Sequence, residues 1–86
     1  MTEHSYQEDL IKLLTRRQRE VLVKIARGFS NREISQQLVI SVSTVEGHTI
    51  AIYQKLGVRC RTEAALIAFR AGLLKDAGEE NPMNPL

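Results

Sequence analysis

Side chains that could support catalysis or metal binding are few in this 86-residue chain. It contains one cysteine, Cys60, and two histidines, His4 and His48. No Gly-rich phosphate loop, no nucleophile–His–acid set and no paired carboxylates are visible, and the metal ligands are too few. We therefore expect no enzyme activity, no cofactor and no metal. Cys60 is predicted to be an inert loop thiol, and His48 to pack on the apolar side of a helix.

Basic side chains are the other candidates for chemistry, and they are concentrated in the middle of the chain. The total of 12 Lys and Arg against 10 Asp and Glu gives a formal charge of only +2. Residues 14–74 carry ten basic and four acidic side chains, a net +6, whereas residues 1–13 and 75–86 each carry −2. This pattern fits both a solvated surface and a polyanion-binding body. The elements that position the charges must decide between them.

The length fits one small domain, and the apolar content of 43% is ordinary for a globular protein. No apolar run approaches the roughly 18–20 residues that span a bilayer, and the acidic start does not resemble a signal peptide. We expect a cytoplasmic protein without membrane contact. Its predicted parts are a flexible segment over residues 1–9, an all-α domain over residues 10–75 and a disordered acidic tail over residues 76–86.

Capping signals place the first two of four predicted helices. Thr15 is followed three residues later by Gln18, and Ser30 by Glu33, so each pair can form a capping box. Gly28 supplies the left-handed residue that ends the first helix. The second helix is about two turns long.

The third predicted helix runs from Val42 to Leu56, with Ser41 as its cap and Gly57 after its end. Apolar residues recur along it at the spacing of one buried face. That face is predicted to hold Val45, either His48 or Thr49, Ile52 and Leu56, and the outward face to hold Ser43, Glu46, Gly47, Ile50 and Gln54.

The fourth predicted helix runs from Thr62, its expected cap, to Leu74 and is apolar at nine of thirteen positions. A helix that is apolar on nearly all sides needs more than one neighbour. Three small helices can cover one side of it, so the remainder is a candidate subunit interface.

A short helix, a tight turn and a longer helix, over about residues 31–50, form the pattern of a helix-turn-helix. In such a motif the first helix lies across the phosphate backbone of DNA. The second lies in the major groove and presents outward residues near its N-terminus to base edges.

Specific sequence segments strengthen this interpretation. They are residues 14–22 (LTRRQREVL), Gly28, 30–34 (SNREI), Leu38, 40–41 (IS), 44–45 (TV), His48, 55–58 (KLGV) and 61–64 (RTEA). In this order and spacing, over about residues 13–74, the chain resembles the LuxR/GerE/NarL family of helix-turn-helix DNA-binding domains. Free-standing domains of the GerE kind are the nearest analogue in length.

The resemblance implies a four-helix LuxR-type domain that regulates bacterial transcription by binding double-stranded DNA in the nucleoid. It also implies a homodimer formed through the fourth helix, with RNA polymerase or a related regulator as a further partner. The implied DNA contacts are Asn31, Arg32, Ser43, Thr44, Glu46, Gly47, Ile50, Lys55 and Arg61, and the candidate dimer contacts are Leu66, Phe69, Arg70 and Leu73.

Two of these residues have an alternative role that the sequence leaves open. Thr44 can contact phosphate or help to cap its helix. Arg61 can contact phosphate or bond the C-terminal end of a helix. Glu20, outside the site, is expected to pair with Arg16 or Lys24.

The outward face of the third helix departs from the family pattern. Glu46 stands where Lys or Arg is frequent, so it either accepts from a cytosine N4 or weakens DNA binding. Gly47 removes a side chain from the same surface, and Ile50 can meet a thymine methyl group. Gln18 stands where Glu is usual. These departures keep a second hypothesis open, in which the chain is a protein-interaction module that pairs through its fourth helix with a related regulator. The chain is either free-standing or the output domain of a longer regulator.

Overall fold

The computed structural model describes residues 6–74, and every regular element in that range is helical. The bounds are Tyr6–Leu10 for α1, Ile11–Leu13 for a turn of 3-10 helix, Arg16–Ala26 for α2, Asn31–Leu38 for α3, Val42–Leu56 for α4 and Arg61–Arg70 for α5. The predicted all-α class and the four predicted helices of the body, α2 to α5, are confirmed. None of the helices in residues 6–74 combines the length and apolar character needed to cross a bilayer.

Reciprocal capping boxes begin α2 and α3, as predicted. The Gln18 N–H donates to Thr15 Oγ1 and the Thr15 N–H donates to Gln18 Oε1, both at 3.0 Å. The Glu33 N–H donates to Ser30 Oγ at 3.1 Å, and the Ser30 N–H donates to Glu33 Oε1 at 2.9 Å. Each box satisfies two backbone donors that a helix start otherwise leaves without partners.

Glycines with positive φ follow three of the helices. Gly28 (φ 95°) and Gly57 (φ 71°) end α2 and α4 where the sequence predicts. Gly72 (φ 78°) ends the last helix too: α5 stops at Arg70, whereas the prediction continued it to Leu74. A left-handed residue breaks the helical backbone, and the prediction missed it because apolar residues continue on both sides.

The start of α5 differs from the prediction. Thr62 is not the cap, because the helix already begins at Arg61 and Cys60 occupies the capping position without a side-chain bond. Glu63 reaches back instead, and its Oε1 accepts from the Arg59 N–H at 2.8 Å. The carboxylate therefore satisfies a backbone donor at this helix start, and it carries the negative charge that the N-terminus of a helix favours.

The core is centred on α2, which packs against α4 and α5, while α3 packs mainly on α4. Its fully buried large side chains are Val21, Leu22, Ile34, Val45, Ile52 and Leu56. Of the two residues predicted as alternatives for the buried face of α4, Thr49 is the buried one, at 8% exposure. Its hydroxyl donates to the Val45 carbonyl at 2.9 Å. His48 is half-buried beside it.

The segment before α2 is more ordered than predicted. Residues 6–9, assigned to a flexible segment, form α1 together with Leu10, and this helix packs against α4 and α5. The Nε2 of Gln7 donates to the Leu56 carbonyl at 3.4 Å. Ile11 and Leu14 are buried whereas Leu13 is exposed, because residues three apart share one side of a 3-10 turn. The rest of the predicted flexible segment and the predicted acidic tail lie outside the described residues.

Candidate nucleic-acid interface

The turn between α3 and α4 depends on a left-handed residue. Val39 has φ 57° and ψ 49°, and its side chain is 87% exposed. The Ile40 N–H donates back to the Ser35 carbonyl at 3.0 Å, which closes the end of α3. A β-branched residue in this conformation is strained, so the tight turn is made at an energetic cost.

Ser41 caps α4 and begins its exposed face. Its Oγ accepts from the Thr44 N–H at 3.0 Å, and the hydroxyls of Ser41 and Thr44 lie 2.8 Å apart. Thr44 therefore takes part in the cap, which was one of its two expected roles, while its side chain remains exposed for the other.

The predicted outward face of α4 is exposed throughout. It consists of Ser43, Glu46, Gly47, Ile50 and Gln54, with Val42 at its N-terminal end. Ile50 is 58% and Val42 38% exposed, so no element within residues 6–74 covers these two apolar side chains. A Cβ added at Gly47 would meet no atom within 4 Å, so the packing of the domain does not require glycine there. We call these six residues the α4 face.

Glu46 is the only formal charge on the α4 face. Its carboxylate forms no hydrogen bond or ion pair with another described residue. A carboxylate without a partner is an acceptor toward whatever contacts the face.

The start of α3 is tied to the start of α5. The Arg61 guanidinium donates through Nη1 to Asn31 Oδ1 at 3.3 Å and through Nη2 to the Phe29 carbonyl, which follows the end of α2. Arg61 is therefore bonded within the protein, but to the turn between α2 and α3 and the start of α3 rather than to the C-terminal end of a helix. A phosphate contact by Arg61 stays a prediction. Arg32, the next residue on α3, is exposed at the first turn.

Lys55 lies at the other end of α4 and has two partners within the protein. Its Nζ donates to the Leu13 carbonyl at 3.0 Å and to Gln18 Oε1 at 2.9 Å. Since an ammonium has three donors, one remains for a phosphate. A DNA contact by Lys55 stays a prediction, but its bracing role was missed.

Glu20 pairs with neither of its expected partners. Its Oε1 lies 3.2 Å from Nη1 of Arg17, three residues earlier on α2. Both side chains are about half exposed, so the pair contributes little to stability. It does neutralise one of the positive charges of the body.

Tyr53 is half-buried on α4 near Arg61. Burial raises the pKa of its phenol above the ordinary value of 10.0, Cys60 acts in the same direction, and the Arg61 guanidinium opposes both. The phenol is therefore neutral at physiological pH.

The candidate dimer residues lie on α5 and just after its end, and the two most exposed large apolar side chains among them are Leu66 and Phe69. Phe69 is 68% and Leu66 45% exposed, Arg70 is exposed and Leu73 is half-buried. Two shallow grooves flank Arg70, one lined partly by Leu66 and the other partly by Leu73. Large exposed apolar side chains so close together are typical of a contact surface.

Sequence reasoning missed two exposed apolar residues at the helix-turn-helix, Val39 and Val42. The signal for Val39 was its place directly after the end of a predicted helix, where a left-handed residue is common and the sequence offers no glycine. Val42 lies at the first position of α4, where periodicity separates the faces poorly. Among residues 6–74 no group of three or more His, Cys, Asp or Glu side chains could hold a metal ion.

Comparisons with known proteins agree with the geometry. Residues 12–68 match the family described as bacterial regulatory proteins, luxR family. The oxygen regulatory protein NreC of Staphylococcus aureus strains JH9 and JH1 is 40% identical over 67 residues. The match covers 78% of this chain and 31% of each NreC protein, so the chain spans about a third of the length of these relatives. The chain therefore belongs to the LuxR family of bacterial regulatory proteins, as a helix-turn-helix DNA-binding domain.

Proposed function

We propose that the chain is the sequence-specific DNA-binding part of a transcriptional regulator and that α4 enters the major groove. The observation that supports this most strongly is the α4 face, which begins at a capped helix start and has no covering element among residues 6–74. A recognition helix needs exposed residues in its N-terminal half, where base edges lie.

In this proposal the start of α3 holds the phosphate backbone. Arg32 supplies an exposed guanidinium, and Asn31 is held in place by Arg61. The free N–H groups of the first turn add further donors to a phosphate. These contacts supply most of the affinity, which therefore falls as salt rises, while the α4 face supplies the sequence preference.

The proposed assembly is a homodimer formed through α5 on a two-part DNA site. The exposed Phe69 and Leu66 support it, because a two-fold contact would bury both side chains in each copy. Arg70 lies at the edge of the same surface. Dimerisation would also add stability to a domain of this size, which buries a modest core.

A second candidate function is a protein-interaction module that pairs through α5 with a related regulator. Phe69, an aromatic side chain that is 68% exposed, suits a different protein as partner as well as a second copy. The uncompensated charge of Glu46 favours this alternative if it prevents groove entry. RNA polymerase is a further proposed partner of the DNA-bound regulator.

The test is a gel-shift titration at several salt concentrations on duplexes selected from random DNA. We expect saturable, sequence-dependent binding that weakens with salt. Arg32→Ala should reduce the salt slope by about one and leave the preferred sequence unchanged. Arg17→Ala is the matched control, because Glu20 already neutralises that guanidinium. Binding that ignores both sequence and salt would refute the proposal.

Sedimentation of the free chain distinguishes the homodimer from the interaction module. A homodimer should dissociate in Phe69→Ser, whose binding to the two-part site should weaken while its fold and its affinity for one half-site remain intact. A monomer that protects no DNA alone, but forms a complex with a related regulator, would favour the interaction module.

A further inference from the structure

Three residues of the α4 face lie in one stripe along the helix. Val42, Glu46 and Ile50 are spaced by four, so their side chains project from the same side of successive turns. The stripe therefore presents an apolar group, a carboxylate and another apolar group in order. It contains no cation, unlike a surface built to bind phosphate.

The carboxylate limits what the centre of the stripe can contact. A carboxylate such as that of Glu46 accepts hydrogen bonds and has none to donate. In the major groove the donors are the N4 amino group of cytosine and the N6 amino group of adenine. Adenine presents the N7 acceptor beside its amino group, which repels a carboxylate, whereas cytosine has no acceptor at its major-groove edge. Cytosine is therefore the base that suits Glu46.

The apolar neighbours limit the flanking positions in the same way. The only apolar group at a major-groove base edge is the 5-methyl group of thymine. Residues four apart are separated by about 6 Å along a helix axis, and base pairs by about 3.4 Å. Val42 and Ile50 would thus lie over positions one or two base steps to either side of the cytosine.

Gly47 supplies an independent indication that the helix lies deep in the groove. A glycine inside a 15-residue helix destabilises it relative to alanine, and no atom of residues 6–74 fills the space where a Cβ would lie. Glycine is suited to sites where backbone approaches a ligand closely. Glu is shorter than the Lys or Arg that often serves as a base contact, so it needs such an approach to reach a base edge.

We propose that α4 recognises a cytosine through Glu46, flanked within two base steps on each side by thymine methyl groups that contact Val42 and Ile50, with Gly47 permitting the close approach. The inference rests on the proposed function, since it requires α4 to enter the major groove.

The experiment is selection from random duplexes with the full 86-residue chain, Glu46→Gln and the matched control Glu20→Gln, followed by affinity measurements. The wild type should select a cytosine between thymines. Glu46→Gln should change the preferred base at the cytosine position to adenine, because Gln pairs with N6 and N7, and should lose at least tenfold affinity for the original site. Glu20→Gln should select the wild-type sequence.

Two further comparisons test the thymine contacts of Val42 and Ile50 and the close approach at Gly47. Replacing a flanking thymine by deoxyuridine should weaken wild-type binding about fourfold, as expected for one buried methyl group. In Ile50→Ala or Val42→Ala, the same replacement at the thymine that the missing side chain would contact should leave the affinity unchanged. Gly47→Ala should raise Tm by about 4 °C and yet weaken binding at least tenfold. A loss of binding in a more stable protein cannot be due to unfolding.

The outcomes separate this inference from the proposed function. Salt-dependent binding to a defined sequence that lacks the cytosine, or whose preferred bases are the same for Glu46→Gln, overturns the inference and leaves the function standing. Unchanged affinity in Gly47→Ala overturns the close approach. No sequence-dependent binding by the wild type overturns both.

Discussion

The Nζ of Lys55 lies 2.9 Å from Oε1 of Gln18, and that same oxygen accepts from the Thr15 N–H at 3.0 Å. One side-chain oxygen therefore caps α2 and also holds the last turn of α4. The Leu13 carbonyl accepts a second bond from the ammonium. The end of the proposed recognition helix is thus fastened to the central helix of the core, which fixes the direction in which the α4 face points.

Replacing Gln18 by Glu should stabilise the fold. Both donors would then meet a carboxylate, and bonds between ionised partners are stronger than those to a neutral amide. The expected gain is about 1 kcal/mol at neutral pH, or about 4 °C in Tm, measured by thermal unfolding. The gain should vanish in acid as the carboxylate is protonated.

A double-mutant cycle that combines Gln18→Glu with Lys55→Met isolates the interaction between the side chains at positions 18 and 55. Part of the gain should persist without Lys55, because a negative charge in the first turn of α2 also interacts with the helix dipole. If the whole gain persists, the ion pair contributes nothing and the bracing role of Lys55 is contradicted.

Val39→Asn should also stabilise the domain, by about 1 kcal/mol. Asparagine tolerates the left-handed conformation that strains valine, and an exposed side chain loses little burial. The control is Val39→Thr, which adds polarity but keeps the β-branch, so its stability should match the wild type. Equal stability of all three proteins in denaturant titration would show that the turn stores no strain.

Arg61→Met should destabilise the domain by about 2 kcal/mol. The methionine keeps an apolar stem but leaves the Phe29 carbonyl and the Asn31 amide without their donor. Arg59→Met is the comparison, since the exposed side chain of Arg59 has no such role and its loss should cost under about 0.5 kcal/mol. Similar unfolding midpoints for the two variants would contradict the role assigned to Arg61.

The titration of Tyr53 gives a prediction at high pH. Its pKa is raised in the folded protein, so the folded state holds the proton more tightly than the unfolded chain does. The contribution of Tyr53 to the free energy of unfolding is then fully present below about pH 10 and is lost as pH rises through the folded-state pKa. In Tyr6→Phe, where Tyr53 is the remaining tyrosine, tyrosinate absorbance should show a midpoint above 10.0. A midpoint at or below that value would contradict the burial of the phenol.

Local signals in the sequence predicted most of the fold. Thr15 with Gln18 and Ser30 with Glu33 are short-range motifs, so their helix starts were placed correctly. The start of α5 was misplaced because Thr62 is a preferred type of capping residue, whereas Cys60 holds the capping position without a side-chain bond. The bond from Arg61 to the Phe29 carbonyl, 32 residues earlier, was not predicted either. A contact across that separation leaves no periodic or capping signal in a single sequence.

For the candidate site, the sequence predicted which positions of α4 are exposed. Helical periodicity gave the exposed positions of α4, since the opposite face is apolar. It could not show that Lys55 is bonded within the domain, because that depends on where Leu13 and Gln18 lie in three dimensions. Nor could it identify the exposed Val39, whose conformation is set by the tight turn.

The α4 face and the start of α3 are the surfaces proposed to contact DNA. Backbone amide chemical shifts of the isotope-labelled chain, followed during titration with its selected duplex, test this claim directly. We expect the largest changes at residues 31–33 and 42–50, with changes at α5 only if the dimer contact tightens on binding. Saturable binding that shifts α5 and leaves residues 42–50 unchanged would contradict the claim.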